Sequence, residues 1–180
     1  LSRLKERLAI PVVASLNGAS LDGWVELGRE LQAAGADAIE LNAWFLAADP
    51  RLTAEALEEH HIELLRELKS VVEIPVCLKL PPFFSALPHF VARAGAAGAA
   101  GVALFNRFYQ PDINLATLHV EHRTQLSTPA DALLAMRWIA ILRGGTELTL
   151  AATGGVHAAA EALKMLLAGA DVVHMASALL

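Results

Sequence analysis

A lysine stands inside an apolar run, Ile74-Pro75-Val76-Cys77-Leu78-Lys79-Leu80-Pro81-Pro82, which reads as a buried strand. A charged side chain is buried only when something pairs with it. Lys79 therefore either reaches water at the strand end or meets a partner there, and a bound anion or an electron-rich cofactor is such a partner. Other apolar runs also finish on polar or glycine residues: Leu41-Asn42, Phe105-Asn106-Arg107, Ala152-Thr153-Gly154-Gly155 and Met175-Ala176-Ser177. Asn42 and Asn106 carry both donors and acceptors. Thr153-Gly154-Gly155 precedes a helical segment, so its backbone N–H groups suit a phosphate, and Ala176-Ser177 repeats the arrangement one strand later. The set suits a phosphorylated flat heterocycle. The phosphate would lie at the last two strands, with the lysine and the amides at the ring edge.

Placing these residues together requires strands that all end on one side. The pattern supplies strands at Pro11–Leu16, Asp37–Asn42, Ile74–Leu80, Ala100–Phe105, Glu147–Ala152 and Asp171–Met175. Helices read at Leu21–Ala34 with Ser20 as N-cap, Thr53–Val72, Ser85–Gly95, Pro129–Leu142 capped by Thr128, and His157–Leu167. Asn17-Gly18 reads as a turn, and Asn106–Thr128 as an irregular stretch holding a hairpin at Asp112–His122. One junction recurs: Ala34-Gly35-Ala36-Asp37 and Ala168-Gly169-Ala170-Asp171, with Ala97-Gly98-Ala99-Ala100 as a looser copy. Each is a helix end, a left-handed glycine and a strand start. Alternating strands and helices with uniform junctions give an α/β fold, a (β/α)₈ TIM barrel present as a partial barrel of about six strands. Residues 1–180 read as a single domain whose N-terminal strands and final helix lie elsewhere, since the chain begins at Leu1 and stops just after a strand. Such a piece leaves strand edges open, so a homo-oligomer or a partner chain is expected.

Composition narrows the classes. The chain is 55% apolar and 18% charged, which fits strands covered on both faces. Its charges recur too often for the roughly 18 apolar residues of a membrane span. A net charge of −5 without a basic patch argues against nucleic acid. The single cysteine, Cys77, excludes an internal disulfide and reads as a core residue, and a cytoplasmic location follows. His60 and His61 read as exposed on a helix, His89 and His157 as surface residues, and His174 as a core or interface residue. His119 and His122 flank Glu121 in the hairpin, and no spacing is compelling for a metal.

The same runs carry a resemblance. Ile39-Glu40-Leu41-Asn42, Val76-Cys77-Leu78-Lys79-Leu80-Pro81-Pro82-Phe83-Phe84, Leu104-Phe105-Asn106-Arg107-Phe108, Ala152-Thr153-Gly154-Gly155-Val156 and Ala176-Ser177-Ala178-Leu179 resemble the flavin-binding core of dihydroorotate dehydrogenases, and more closely the dihydroorotate dehydrogenase-like proteins of bacteria. The resemblance covers nearly the whole chain. It implies a barrel holding FMN and an oxidoreductase acting on dihydroorotate or a related dihydropyrimidine, a small-molecule substrate. It implies that Lys79 meets the polar edge of the flavin and stabilises its reduced anion. Asn42 would sit at flavin and substrate, and Asn106 at the substrate. Thr153, Gly154, Gly155, Ala176 and Ser177 would wrap the FMN phosphate.

The sequence departs from that pattern in places. The family's loop after Leu41-Asn42 holds a cysteine or serine base followed by Pro-Asn, whereas here it reads Ala43-Trp44-Phe45-Leu46-Ala47-Ala48-Asp49-Pro50. Phe45 stands near the base position and cannot take a proton. Ser85 and Tyr109 are the remaining candidates. A glycine pair that the family carries before the sixth helix of its barrel is replaced by Thr124-Gln125-Leu126-Ser127, and Arg107 replaces a small hydroxyl residue, where it would pair with a substrate carboxylate or block the pocket. Two other readings stand beside the flavin enzyme. One is a flavin-free phosphate-binding barrel lyase or isomerase using Lys79. The other is a catalytically degenerate flavin-binding subunit.

Overall fold

A computed structural model describes all residues except 18–20, 43–44, 108–109 and 122–124, and omits the side chains of Leu21 and Asp22. The elements are α1 (Ser2–Lys5), β1 (Val13–Leu16), α2 (Leu21–Ala33), β2 (Ala38–Leu41), α3 (Ala54–Val71), β3 (Val76–Leu80), α4 (Leu87–Ala96), β4 (Gly101–Leu104), β5 (Asp112–Asn114), β6 (His119–Glu121), α5 (Ala132–Arg143), β7 (Thr149–Ala152), α6 (Ala159–Ala168) and β8 (Val172–Val173). Six strands form one parallel sheet in the order β1-β2-β3-β4-β7-β8. That order follows the chain without reversal. A doubly wound sheet reverses at a switch point, so this arrangement is a half-barrel. β5 and β6 form the expected hairpin, a separate antiparallel pair.

Pleating divides each strand between two faces. Leu16, Ile39, Leu41, Val76, Leu78, Leu80, Val102, Leu104 and Leu150 turn to the helical side and are at most 1% exposed. They pack with Ile62, Leu65 and Leu68 of α3, Phe90 of α4, Ile139 of α5 and Met165 of α6. The alternate residues line the inner face. Ser15 pairs in register with Glu40, Glu40 with Cys77, and Cys77 with Gly101. One step further along, Lys79 pairs with Ala103, Ala103 with Ala151, and Ala151 with Val172. The inner row at the level of Lys79 is therefore mostly methyl groups, which leaves room beside the lysine.

The recurring junction builds the same device twice. Gly35, Gly98 and Gly169 have φ of 93°, 97° and 112°, values that favour glycine. Asp37 Oδ2 accepts from Val12 N at 2.6 Å and from Lys5 Nζ at 2.6 Å. Asp171 Oδ2 accepts from Leu150 N at 2.8 Å and from Arg143 Nη2 at 2.5 Å. Each aspartate thus ties the start of its own strand to the preceding strand, and each is neutralised by a cation from a helix. Both carboxyls are held below the usual range. At Asp37 the Lys5 bond is the main cause and Val12 N–H the second; at Asp171 the Leu150 N–H leads and Arg143 follows.

Several local expectations are corrected. The fourth helix begins at Leu87, leaving Ser85 exposed before it. The Pro129 segment opens as a 3₁₀ turn, Pro129–Asp131, whose Asp131 Oδ2 accepts from Thr128 N at 2.6 Å. α1 was not anticipated, since one short turn has no periodicity to read. Thr53 caps α3 as its position implies, its Oγ1 accepting from Ala56 N at 3.1 Å. Ser20, Gly18 and Tyr109 lie outside the described residues.

Candidate active site

Four residues extend the parallel ladder just past the strand ends. Asn42 N donates to Leu16 O at 3.0 Å, Asn106 N to Leu80 O at 2.7 Å, Thr153 N to Leu104 O at 2.8 Å, and His174 N to Ala152 O at 2.8 Å. These bonds fix the backbones and leave four side chains on one rim, the end at which barrel enzymes build their sites. Asn106 Nδ2 donates to Asn42 Oδ1 at 2.9 Å. Their strands flank β3, so the two amides meet across the strand that carries Lys79.

Lys79 has a protein partner. Its Nζ lies 3.3 Å from Glu40 Oε1, the two side chains being 21% and 10% exposed. Ser15 Oγ donates to the same oxygen at 3.0 Å, and His174 Nδ1 stands 3.8 Å from Glu40 Oε2. Side chains from β1, from β3 and from just past β8 thus meet the carboxylate that β2 carries. His174 is half-buried at this network, on the inner wall beside Glu40. Cys77, beside the pair, has its thiol pushed up to about 12, mainly by burial and secondarily by the Glu40 charge, with Lys79 opposing. A thiol so far from ionising is no nucleophile.

The β7 and β8 ends form a second group. Gly154 and Gly155 have φ of +90° and +74°. A Cβ on Gly155 would lie 2.4 Å from Ala132 N and 2.8 Å from Thr128 O, because the loop is pressed against the start of α5. At Gly154 a Cβ would meet nothing within 4 Å. Ser127, which is buried, donates from Oγ to Ser177 Oγ at 2.9 Å and from N to the same oxygen at 3.2 Å. His157 Nε2 lies 3.2 Å from Ser127 Oγ. Ser127 and His157 were not picked out as site residues in the sequence, and they join the two loops that were. His157 is half-buried rather than a surface residue.

Arg107 lies elsewhere. Its side chain is exposed and Nη1 donates to Gln125 O at 2.7 Å. It lines a cleft of about 640 Å³ with Asn106, Gln110, Asp131, Thr153 and Gly154. Lys79, Asn42, Ala176 and Ser177 are outside that lining. Asn106 therefore belongs to both regions. Asp131 in the cleft is held below the usual carboxylate range, first by the Thr128 N–H and more weakly by Arg107 and His157.

The aromatic side of the site departs from expectation. His61 is buried at 1% exposure and its Nδ1 lies 2.7 Å from Leu57 O, whereas His60 is exposed. The Phe45 ring stands 4.7 Å from His60 and 5.2 Å from His61, edge to face. Phe45 is thereby tied to α3. His119 is exposed, and His122 lies outside the described residues. Among the described residues no group of three or more His, Cys, Asp or Glu gathers as a metal set.

The dihydroorotate dehydrogenase family model matches residues 1–180. The chain belongs to the dihydroorotate dehydrogenase family. Among curated relatives, dihydroorotate dehydrogenase A (fumarate) of Lactobacillus delbrueckii subsp. bulgaricus is 29% identical over 188 residues, covering 99% of this chain and 60% of the relative. The enzyme of the same name from Lactiplantibacillus plantarum is 31% identical over 174 residues, covering 94% and 57%. The catalytic subunit of dihydroorotate dehydrogenase B (NAD(+)) of Shouchella clausii is 28% identical over 174 residues, again 94% and 57%. The chain thus spans somewhat over half the length of these dihydroorotate dehydrogenases. A crystal structure of DHODH in complex with ferulenol from Eimeria tenella superposes with a TM-score of 0.68 at 16% identity, covering 98% of this chain and 55% of that one. At that identity the likeness speaks for the fold, and it agrees with a half-barrel cut from a dihydroorotate dehydrogenase barrel.

Proposed function

We propose that residues 1–180 form the flavin-binding part of an FMN-dependent oxidoreductase of the dihydroorotate dehydrogenase type, acting on dihydroorotate or a related dihydropyrimidine. The observation that carries this reading is Lys79, held on the inner wall in a row otherwise made of Ala103, Ala151 and Val172. A flat ring fits against methyl groups with a cation at its edge. The open space at Gly154 suits a phosphate, and Thr153, Gly155, Ala176 and Ser177 are proposed to complete that end. The donor set at both ends therefore fits FMN.

When bound, FMN supplies a two-electron acceptor for hydrogen leaving carbon. The residues of the chain do the rest. Lys79 and Asn42 hold the polar edge of the ring, and the lysine puts fixed positive charge where negative charge develops. Asn106 orients the planar substrate through its amide. Arg107, which lines the cleft with Asn106, would pair with a substrate carboxylate. The Phe45 loop offers no Cys or Ser for proton removal from substrate carbon, and the carboxylate of its Asp49 is spent on Arg51 at 2.7 Å. Ser85 is exposed and Tyr109 lies outside the described residues.

The half-barrel geometry also supports assembly. Val13 at one sheet edge is 55% exposed and Val172 at the other is 44% exposed, which favours a second copy or a partner chain. Among the described residues no helix is long and apolar enough to cross a membrane. A cytoplasmic location is part of the proposal and rests on the single cysteine of the sequence. The pinning of Phe45 against His60 and His61 favours, as a second reading, a flavin-binding subunit without its own base.

Absorbance of the purified full-length protein tests the first claim: flavin bands are expected, and a colourless protein refutes it. Lys79→Ala should retain FMN while slowing its reduction by dihydroorotate roughly a hundredfold. Unchanged reduction kinetics would remove Lys79 from its role. A flavin-loaded wild type that dihydroorotate never reduces would favour the degenerate subunit, and borohydride trapping of a carbonyl substrate on Lys79 would favour a lyase.

A further inference from the structure

Glu40 is an unexpected residue for this wall. A site read as stabilising an electron-rich ring carries a carboxylate 8% exposed, 3.3 Å from the cation that defines it. A buried ion pair is weak evidence for stability, because desolvation consumes most of the Coulomb gain. The apolar alternative is visible in the row that holds Lys79, at Ala103 and Ala151. Glu40 is also held from both ends, Oε1 by Ser15 at 3.0 Å and Oε2 beside His174 at 3.8 Å. The described inner-face residues packed around it are Ser15 from β1, Cys77 and Lys79 from β3, and His174 after β8, while β4 and β7 contribute no charge.

We propose that Glu40 is the positioning residue for Lys79, a fixed counter-ion that holds the ammonium on the inner wall and sets how much positive charge reaches the ring. This rests on the FMN reading above. A lone ammonium acts on the ring as a monopole, whereas the Lys79–Glu40 pair acts as a dipole and favours the reduced anion less. Ser15 and His174 fix the direction of that dipole by fixing the carboxylate.

Glu40→Gln keeps an oxygen for Ser15 and Lys79 but removes the charge. In the full-length holoprotein, freeing Lys79 from its counter-ion should stabilise every anionic form of the flavin. Sulfite, which adds to oxidised flavin and leaves negative charge on the ring, should bind at least tenfold more tightly. The two-electron potential should rise by about 30 mV, the same tenfold factor. Glu40→Asp retains the charge and should restore most of the wild-type value. In a Lys79→Met background the Glu40→Gln shift should shrink severalfold; a shift of full size there means Glu40 acts on the ring directly and overturns the positioning role. Flavin-free protein gives a separate readout: acetic anhydride labelling of Lys79, followed by mass spectrometry, should be severalfold faster in Glu40→Gln. Bound flavin with unmoved potential and sulfite affinity overturns the inference alone. No bound flavin in the wild type overturns the flavin reading, and the tuning role with it.

Discussion

Two adjacent glycines at the end of β7 allow steric cost and ligand contact to be separated. Gly154 and Gly155 both have positive φ, +90° and +74°. An alanine at either position carries the left-handed penalty of roughly 1–2 kcal/mol. Only at Gly155 does the added Cβ collide, at 2.4 Å from Ala132 N, 2.8 Å from Thr128 O and 3.0 Å from Ala132 Cα. All three atoms are backbone, so no rotamer change relieves the clash, and overpacking adds about 1–3 kcal/mol. Gly154→Ala should therefore lose about 1–2 kcal/mol and Gly155→Ala about 2–5 kcal/mol. Urea unfolding of the full-length protein reads both, from the shift in midpoint at constant slope. FMN retention should reverse the order relative to stability. The Gly154 methyl enters open space proposed for the phosphate, so this better-folded variant should lose FMN affinity by tenfold or more. Equal stability losses would refute the steric argument, and unchanged FMN affinity in Gly154→Ala would refute the cradle.

Three further outcomes follow from the same geometry. Cys77, its thiol raised to about 12 by burial, should resist iodoacetamide in the folded protein at pH 8 and react only after denaturation; modification in the native state would show that the inner wall is open. Asp171 has a depressed folded-state pKa, so its contribution is complete above the unfolded value near ~3.9 and lost as pH falls through the folded one. Asp171→Asn should be less stable than the wild type at pH 7 and lose less stability during acid titration by circular dichroism, and parallel acid curves would deny the linkage. Arg107→Ala should raise KM for a carboxylate-bearing substrate by about tenfold, the scale of one charge-assisted contact, without changing FMN content. An unchanged KM would confine Arg107 to its bond with Gln125.

The barrel topology was legible because it is written locally. Helix end, left-handed glycine and strand start are contiguous in Ala34-Gly35-Ala36-Asp37 and in Ala168-Gly169-Ala170-Asp171, and the structure builds the same aspartate clamp from both. Lys79 was legible because a charge in an apolar strand demands a partner. The partner itself was partly legible: Ala38-Ile39-Glu40-Leu41 alternates, which puts Glu40 opposite Ile39 and Leu41, but only the register sets it beside Cys77 and Lys79. His61 reads as exposed beside His60, yet it falls four residues after Leu57 and four before Leu65, on the buried stripe of α3. The pairing of Ser127 with His157 has no local signal. The two residues are thirty positions apart and meet only because the β7 loop folds against the start of α5.

The two ends of the sheet use polar residues in opposite ways. At the strand starts, Asp37 and Asp171 spend their oxygens on backbone N–H groups and on Lys5 and Arg143, so little is left to bind a ligand. At the strand ends, Asn42, Asn106 and Thr153 place their backbones in the ladder and keep their side chains for the rim. Substitutions at the first end should act on stability and those at the second on chemistry. Glu40 and Lys79 lie between these layers, on the inner wall. Each is improbable alone in an apolar strand, and together they are neutral. A neutral pair can be left dry when the site is empty and still present its cation when negative charge arrives at the rim. That combination explains why the sequence tolerates a lysine there, and why the carboxylate is as informative about the site as the lysine.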